Sequence, residues 1–497
     1  MTEPCDLTAL DARFLIGVKK LLPSELLESC IARIEAIDPA VNAIPERDYE
    51  AARVAARRAD EAVAHGEALA PLHGLPVGIK DLEDAQGLRT THGSPIFRDF
   101  VAPADQSTVG RVRAAGGIIV GKTNVPEFGA GANTRNTVYG VTGNAFDPTK
   151  SAAGSSGGSA VALATGMVPL ATGSDTGGSL RNPASFNGIV GFRPSPGLVA
   201  NEKRGLGWSP LPVLGPMART VADVALLLSV MASNDQGDPL AATIYGRAVR
   251  HPGEFHPLPA IDLSRLRVAL TPDFGFTPTE RHIREVFAEK TGLFRDAFAR
   301  AEDATPDCRD CDSAFEVLRA QSFLASHLEK TRTRPGDVGP NILANVEEGL
   351  RYSALDVAQA HANQTAMYRR WQDFFQDFDV ILTPAITISP RSWRELYPAE
   401  IDGKPTRSYF HWLSLAYAVT LVGHPAISLP MGTDRNGMPF GLQIVGPRGG
   451  DAKVLAVAVA LERLLAGDPR TARPTPDLAA LKTARPIRES EGFLGFG

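Results

Sequence analysis

The feature that most limits the fold of this chain is an alternation of short, wholly apolar runs with helical segments. From His73 onward, the runs PVGIK, GGIIVGK, VPLATG and GIVGF have the length and residue types of buried strands. Residues 107–115 and 221–231 have the periodicity of helices. Strands that are apolar on both faces must be covered on both faces. The alternation therefore predicts an α/β fold in which helices cover both faces of a β-sheet.

The remaining segments extend this pattern. Helical periodicity before position 65 indicates an N-terminal helical layer, and residues 234–376 are predicted to form a mostly helical, more polar elaboration. The runs DVILTPAI, AISLPMG and FGLQIVG, with a hairpin signal between the last two and a helix from Asp451, predict that residues 377–470 complete the sheet. No linker separates these parts, so we expect a single domain over residues 1–497.

Charge and cysteine content restrict the expected partners. The formal net charge is -5, and lysine and arginine are scattered, which disfavours nucleic-acid binding. No apolar run approaches the roughly 20 residues that span a bilayer, and the first residues lack a signal-peptide pattern. Cys308 and Cys311 form a lone CxxC without the second ligand pair of a zinc site. We therefore expect a cytoplasmic protein without a membrane or nucleic-acid partner and without a metal.

One stretch matches a phosphate-binding motif in its residue identities but not in its structural context. Residues 116–123, GGIIVGKT, place Lys122 and Thr123 where a P-loop has its lysine and threonine. A P-loop needs a strand before flexible residues and a helix after them. Here a helix precedes, stiff strand formers occupy the interior, and Pro126 follows closely. We interpret this stretch as a strand.

A second stretch matches the nucleophile elbow of serine hydrolases. Residues 154–158, GSSGG, fit GxSxG with Ser156 at the centre. An elbow must follow a buried strand, but FDPTKSAA precedes it, and none of the ten histidines has a context that marks a triad base. The sequence therefore disfavours a Ser-His-Asp triad.

Two serine and glycine clusters remain. Ser155 lies in AAGSSGGSA, and DTGGS ends at Ser179, 24 residues later. Read alone, the clusters fit a flexible linker and a turn. They also fit a catalytic loop, because Gly177 and Gly178 before a serine leave N–H groups unobstructed, as an oxyanion hole beside a nucleophile requires.

Taken in order, these motifs resemble the amidase signature family. The matching segments are LHGLPVGIKD (72–81), GKTNVPEF, AGSSGGSA, GSDTGGSLRNPASFNGIVGFRPSPG (173–197), GPMARTVAD (215–223), PAISLP and GLQIVG. The resemblance covers most of the chain from about position 70 and is weaker in 234–376, with the signature core at 65–225. It implies a large mixed sheet covered by helices on both sides, and an amidase without a cofactor.

The resemblance also implies catalytic roles. By this resemblance, Lys80 corresponds to the catalytic base of the family. Ser155 corresponds to its bridging serine, which is held in a cis peptide, and Ser179 to the serine that forms the acyl-enzyme. The oxyanion hole falls on the backbone N–H groups of Thr176, Gly177, Gly178 and Ser179. A lysine base must be neutral, so Lys80 must be buried away from carboxylates. Asp81 follows directly, but the next residue of a strand points to the opposite face.

Substrate contacts follow from the loops of the family. The expected pocket residues are Gly129, Ala130, Gly131, Asn133 and Trp412, and Trp412 fits the core equally well. Asn182 stands where relatives acting on small carboxylate-bearing amides have arginine and amidotransferase A subunits have glutamine. This favours neutral aryl or bulky amides, with carbamates (urethanes) as further substrates. The alternative is the glutamine-hydrolysing A subunit of a tRNA-dependent amidotransferase. The expected partner is a small-molecule amide, with a homodimer as the candidate assembly.

Overall fold

The elements of the fold are taken from a computed structural model that describes residues 3–233, 235–241, 243–244, 247–248 and 252–495. The α-helices are α1 (Ala9–Gly17), α2 (Pro23–Val41), α3 (Tyr49–His65), α4 (Ser107–Ala114), α5 (Gly157–Ala164), α6 (Arg181–Asn187), α7 (Val221–Met231), α8 (Arg281–Thr291), α9 (Cys311–Thr333), α10 (Pro340–Gly349), α11 (Ala354–Asp377), α12 (Ser414–Val422), α13 (Asp451–Ala466) and α14 (Leu478–Thr483).

The strands alternate with these helices along the chain. They are β1 (Glu46–Arg47), β2 (Pro76–Lys80), β3 (Ile118–Thr123), β4 (Arg135–Asn136), β5 (Gly140–Val141), β6 (Leu170–Asp175), β7 (Val190–Arg193), β8 (Val213–Ala218), β9 (Thr243–Ile244), β10 (Arg247–Ala248), β11 (Arg267–Leu270), β12 (Arg300–Asp303), β13 (Val380–Pro384), β14 (Glu400–Ile401), β15 (Lys404–Pro405), β16 (Ala426–Thr433) and β17 (Pro439–Val445). Each apolar run identified in the sequence coincides with one of these strands.

Within the described residues, eleven strands form one mixed sheet in the order β1-β3-β2-β6-β8-β7-β16-β17-β13-β11-β12. Strand β2 is parallel to both β3 and β6, whereas β6, β8, β7, β16, β17 and β13 pair antiparallel in succession. The hairpin predicted between β16 and β17 is present, and its Gly437 has φ of 77°. The antiparallel pair β7–β16 joins the N-terminal and C-terminal parts of the sheet.

Both faces of the sheet are covered by helices. Val77 of β2 packs in one apolar cluster with Leu227 of α7, and Val120 of β3 packs in another with Val161 of α5. The parallel strands β2, β3 and β6 are apolar on both faces, so both faces must be shielded from water. The prediction of an α/β sheet covered on both faces is confirmed.

The segment 234–376 contributes more than helices. It contains α8, α9, α10 and α11, and it also supplies β11 and β12 to one edge of the main sheet. Residues 234, 242, 245–246 and 249–251 lie outside the described residues. The following segment, 377–470, adds β13, β16 and β17 and the covering helix α13. In the part of the chain that is described, none of the helices has the length and apolar character needed to cross a membrane.

The P-loop-like stretch is a strand, as its residue types predict. Residues 118–123 form β3, and Lys122 is fully buried. The Lys122 ammonium donates to Glu83 O at 2.6 Å and to Thr90 Oγ1 at 2.8 Å, and it lies 3.5 Å from Asp81 Oδ1. The ammonium group of Lys122 thus binds to groups inside the protein and is not available to a phosphate.

Candidate active site

Lys80 is the last residue of β2, and its side chain is fully buried. Three serine hydroxyls surround its ammonium group: Ser155 Oγ at 2.8 Å, Ser156 Oγ at 2.8 Å and Ser174 Oγ at 2.9 Å. Every one of these hydroxyls is neutral. The lysine therefore has hydrogen-bond partners but, among the residues that the structure describes, no carboxylate in direct contact.

Burial is the main influence on the pKa of Lys80. It lowers the pKa to about 7, against the smaller opposing effects of the negative charges of Glu83 and Asp175. Asp81, the neighbour in sequence, accepts from Thr91 and pairs with Lys122 instead. The alternation of side chains along the strand thus keeps this carboxylate away from Lys80, as predicted. An amine with a pKa near 7 can accept a proton at neutral pH.

Ser155 lies in the loop before α5. The Gly154–Ser155 peptide bond is cis, and Ser155 is buried. The loop also touches the second serine cluster, because the N–H of Ser156 donates to Ser179 O at 3.3 Å. The structure thus brings Lys80, Ser155 and the backbone of Ser179 close together, although Lys80 and Ser179 are 99 positions apart in the sequence.

The loop between β6 and α6 is held by a buried carboxylate. Asp175 lies 3.0 Å from the guanidinium of Arg181 and 3.1 Å from that of Arg193. It also accepts from the N–H groups of Gly178 and Leu180. Burial alone would raise the pKa of Asp175, but the two guanidinium groups hold it well below its usual range. The ionised Asp175 therefore fixes the backbone on both sides of Ser179.

The four backbone donors assigned to an oxyanion hole have different surroundings. Gly178 N–H donates to Asp175 Oδ1 at 3.0 Å, so it is already engaged. Among the described residues, the N–H groups of Thr176, Gly177 and Ser179 have no acceptor. Thr176 and Ser179 are half-buried, so the loop is partly accessible to solvent at these two residues.

Gly178 is required by its surroundings. Its φ is 101°, and a Cβ at this position would lie 2.4 Å from Ala416 Cβ and 2.5 Å from Asn182 Oδ1. At Gly177, by contrast, the nearest atom to a Cβ would be Phe315 Cζ at 3.6 Å, an ordinary contact. The two neighbouring glycines therefore have different functions: Gly178 permits close packing, and Gly177 faces α9.

Three of the predicted pocket residues lie in a loop beside Ser155. A Cβ on Gly129 would lie 3.3 Å from Ser155 Oγ, which places this backbone against the predicted relay hydroxyl. Gly131 has φ of 124°, and Ala130 O accepts from Asn341 Nδ2 of α10 at 2.9 Å. The loop of Gly129, Ala130 and Gly131 thus borders the serine cluster and is braced from α10.

Asn133 and Trp412 lie in the protein interior. Asn133 Nδ2 donates to Trp393 O and Glu395 O, and its Oδ1 accepts from Ser151 Oγ, so its amide is fully used. Trp412 is 3% exposed and donates to Tyr409 O at 2.9 Å. The polar groups of both side chains are thus engaged within the protein, and the structure does not bring Trp412 into contact with Lys80, Ser155 or Ser179 among the described contacts.

Several residues of the site carry no distinct signal in the sequence. The sequence indicates no role for Ser174 and indicates Asp175 only as part of a turn, although the alternation of β6 places Thr172 and Ser174 on one face. Thr172 Oγ1 accepts from Lys80 N at 3.0 Å and donates to Glu83 Oε1 at 2.7 Å. Strand periodicity could have indicated this polar row, but the contact with Lys80 depends on packing between strands.

Comparison with known proteins gives a consistent result. The Amidase family profile matches residues 25–455. An acylamidase of Rhodococcus erythropolis is 34% identical over 466 residues, which are 92% of this chain and 95% of that protein. The A subunit of a glutamyl-tRNA(Gln) amidotransferase of Chloroflexus aurantiacus is 32% identical over 492 residues, covering 93% and 98% of the two chains.

Solved structures agree with the sequence relatives. The crystal structure of a bacterial aryl acylamidase of the amidase signature family superposes with a TM-score of 0.84 at 27% identity and covers 93% of this chain and 96% of that one. A 6-aminohexanoate cyclic dimer hydrolase gives a TM-score of 0.82 at 25% identity, with 96% and 100% covered. The chain therefore belongs to the amidase signature family, and it is an amide-hydrolysing enzyme.

Proposed function

We propose that this enzyme hydrolyses a carboxylic acid amide through an acyl-enzyme on Ser179, with Lys80 as base and Ser155 as proton relay. The main support for this proposal is the position of the buried Lys80 amine. Its pKa is about 7, and its Nζ lies 2.8 Å from Ser155 Oγ. A serine hydroxyl is a weak nucleophile until a base removes its proton. No carboxylate contacts this amine within the described residues, so its neutral form is accessible at neutral pH.

In the proposed reaction, proton transfers connect Ser179, Ser155 and Lys80. As Ser179 Oγ attacks the carbonyl carbon, its proton passes to Ser155 Oγ, and the proton of Ser155 passes to Lys80 Nζ. The carbonyl oxygen becomes an oxyanion, which the free N–H groups of Thr176, Gly177 and Ser179 stabilise. When the C–N bond breaks, the proton returns through Ser155 to the departing amine. Water then attacks the ester of Ser179, and the same groups act in reverse to release the carboxylate.

The proposed substrate is a neutral amide with an aryl or other bulky group, and aryl carbamates are proposed as further substrates. Support comes from the acylamidase relative and from the aryl acylamidase fold. An apolar ring lies beside Gly177, because Phe315 Cζ of α9 would be 3.6 Å from a Cβ at that position. A bulky apolar group gains more from contact with such a ring than a small polar amide.

The direct test is replacement of the nucleophile. We expect Ser179→Ala to lower kcat/KM for 4-nitroacetanilide by at least about a thousandfold, because the acyl-enzyme cannot form. A fluorophosphonate probe should add to the wild-type protein and not to the variant when intact mass is measured. Ser229→Ala, on the remote helix α7, is the matched control and should keep full activity. Labelling of Ser179→Ala at the wild-type rate would refute the assignment.

The second candidate function is hydrolysis of glutamine within an amidotransferase. It is favoured by the 32% identity with an amidotransferase A subunit over 98% of that protein. Asn182 disfavours it: its Nδ2 donates to Gly177 O at 3.2 Å, so its side chain serves the loop. Ammonia release from glutamine, compared with arylamine release from 4-nitroacetanilide and from an aryl carbamate, separates the two candidates. We expect the anilide to be hydrolysed faster; faster glutamine hydrolysis, with partner subunits that co-purify, would favour the alternative.

A further inference from the structure

A buried guanidinium without an acidic partner lies on α9. Arg319 is 6% exposed, and within the described residues no carboxylate pairs with it. Its Nη2 donates to Tyr409 Oη, and its Nε has no acceptor among the described groups. A buried charge that is neither paired nor fully hydrogen-bonded is unfavourable. The fully buried arginines that hold the loop of Ser179, Arg181 and Arg193, share Asp175.

Three aromatic rings surround the Arg319 guanidinium. Its Cζ lies 4.7 Å from the ring centre of Phe323, 5.0 Å from Phe410 and 5.2 Å from Tyr409. Cation–π contacts with these rings support the charge in place. The ring faces do not satisfy the N–H donors at the edge of the guanidinium plane. The side chain is therefore held in a fixed orientation with donors still available.

Arg319 lies between the two loops of the active site. One turn earlier on α9, Phe315 faces Gly177 of the loop that precedes Ser179. One turn later, Phe323 packs in an apolar cluster with Ala130, from the loop beside Ser155. Residues four apart share one helix face, so Arg319 lies on the face that both loops contact.

A chain of hydrogen bonds connects Arg319 to the loop of Ala130, which lies beside Ser155. Asn345 Nδ2 donates to Tyr409 Oη at 2.6 Å and to Asn341 O at 2.6 Å. Asn341 Nδ2 in turn donates to Ala130 O at 2.9 Å. Because Tyr409 Oη accepts from both Arg319 and Asn345, its own O–H remains available to donate. A guanidinium edge and a phenol O–H thus form a group of donors beside the catalytic loops.

We propose that Arg319, assisted by Tyr409, binds a carboxylate carried by the amide substrate. This inference rests on the proposed amide hydrolysis, and it changes the proposed substrate from a neutral amide to an amide that carries a carboxylate. A carboxylate matches the planar edge of a guanidinium and supplies the negative charge that this buried site lacks. The inference differs from the expectation of a neutral substrate drawn from Asn182. Arg319 is a specificity-determining residue here, and the bond-breaking steps do not pass through it.

The test compares matched pairs of acid and ester substrates. On the acyl side, glutaryl 4-nitroanilide is compared with its methyl ester. On the amine side, 4-acetamidobenzoate is compared with its methyl ester. For one of the two pairs we expect the acid to have a kcat/KM about tenfold to a hundredfold higher than the ester, because a hydrogen bond between charged groups is lost in the ester. The pair that responds tells which side of the scissile bond faces Arg319. Equal rates for acid and ester in both pairs would overturn the inference and leave the amidase function intact.

Variants assign the preference to Arg319. We expect Arg319→Met to remove the preference for the acid while it keeps hydrolysis of the ester, and Arg319→Lys to restore part of the preference. Arg332→Met, an exposed position on the same helix, is the matched control and should keep the preference. Loss of acid and ester hydrolysis to the same extent in soluble, folded Arg319→Met would indicate a purely structural role and would overturn the inference.

Binding without catalysis separates this inference from the proposed function. Glutarate and 4-acetamidobenzoate are titrated into the Ser179→Ala variant by calorimetry, with glutaramide as the neutral control. We expect one of the two carboxylates to bind and glutaramide not to, and we expect the added change Arg319→Met to abolish that binding. If neither amide is hydrolysed but a carboxylate still binds through Arg319, the function is wrong and the anion site is real. No binding of either carboxylate would overturn the site itself.

Discussion

Two buried lysines of this protein differ in what surrounds their amines. Lys122 lies 3.5 Å from the carboxylate of Asp81, whereas Lys80 contacts the hydroxyls of Ser155, Ser156 and Ser174. A carboxylate stabilises the charged form of an amine. A hydroxyl can accept a hydrogen bond from the charged amine or donate one to the neutral amine. The arrangement thus makes Lys122 a structural cation and leaves Lys80 able to lose its proton.

The pH dependence of turnover tests this difference. Below a pH of about 7, Lys80 is protonated and cannot accept a proton, so kcat/KM should fall about tenfold per pH unit and level off above the pKa. Burial also raises the pKa of Glu83 to about 7, and the charge of Glu83 raises the pKa of Lys80. Glu83→Gln should therefore move the midpoint of the profile to lower pH. The measurement is kcat/KM for 4-nitroacetanilide between pH 5 and 9.

A clear outcome would contradict this assignment. If kcat/KM stays constant from pH 5 to 8 in the wild-type enzyme, or if Lys80→Ala keeps near-normal turnover at neutral pH, Lys80 is not the base. Because Lys80 and Glu83 interact, the midpoint belongs to the pair, and only its displacement in Glu83→Gln assigns part of it to Glu83.

At the scale of elements, the loop between β6 and α6 holds the proposed nucleophile. It carries Ser179 with Asp175 beneath it, and Asp175 receives both guanidinium groups and two backbone N–H groups. The two glycines before Ser179 are adjacent but have different surroundings. Gly178 packs tightly against α12, whereas Gly177 faces Phe315 of α9 with room for a Cβ. The loop is thus fixed by one carboxylate and one close approach of backbone to a helix.

Alanine at each glycine tests this division. We expect Gly178→Ala to destabilise the fold by about 1–3 kcal/mol and to lower kcat strongly, because its Cβ would lie 2.4 Å from Ala416 Cβ and the loop must move. Gly177→Ala is the matched control, because its Cβ would make an ordinary contact at 3.6 Å. Urea denaturation and kcat are measured for both. Equal stability of the two variants would show that the close packing at Gly178 is unimportant.

At the scale of the whole molecule, one sheet joins distant parts of the chain. Strand β7 pairs with β16, with Ile427 opposite Phe192, so the N-terminal and C-terminal strands share a ladder. The helices α9 and α12, which come from different segments, both approach the loop of Ser179. This continuity supports the proposal that the chain is one domain.

Calorimetry tests the single domain. Because splitting the sheet at β7 and β16 would expose two buried strand edges, we expect one unfolding transition in which the calorimetric and van't Hoff enthalpies agree. A fragment of residues 1–233 should be insoluble or unfolded for the same reason. Two resolved transitions, or a stable fragment, would show that the segments fold independently.

Local apolar runs, glycine-rich spacing and family motifs were enough to predict seven strands of the main sheet, the helical cover and the candidate residues Lys80, Ser155 and Ser179. Other features depend on tertiary packing. Asp81 pairs with Lys122, Ser174 joins the hydroxyls around Lys80, β1, β8, β11 and β12 complete the sheet, and Arg319 lies on the face of α9 that contacts the loops of Gly177 and Ala130. The physical reason is that propensity and periodicity are local. Burial and partners depend on which distant segments pack together, and these set the pKa of Lys80 and leave Arg319 without a carboxylate.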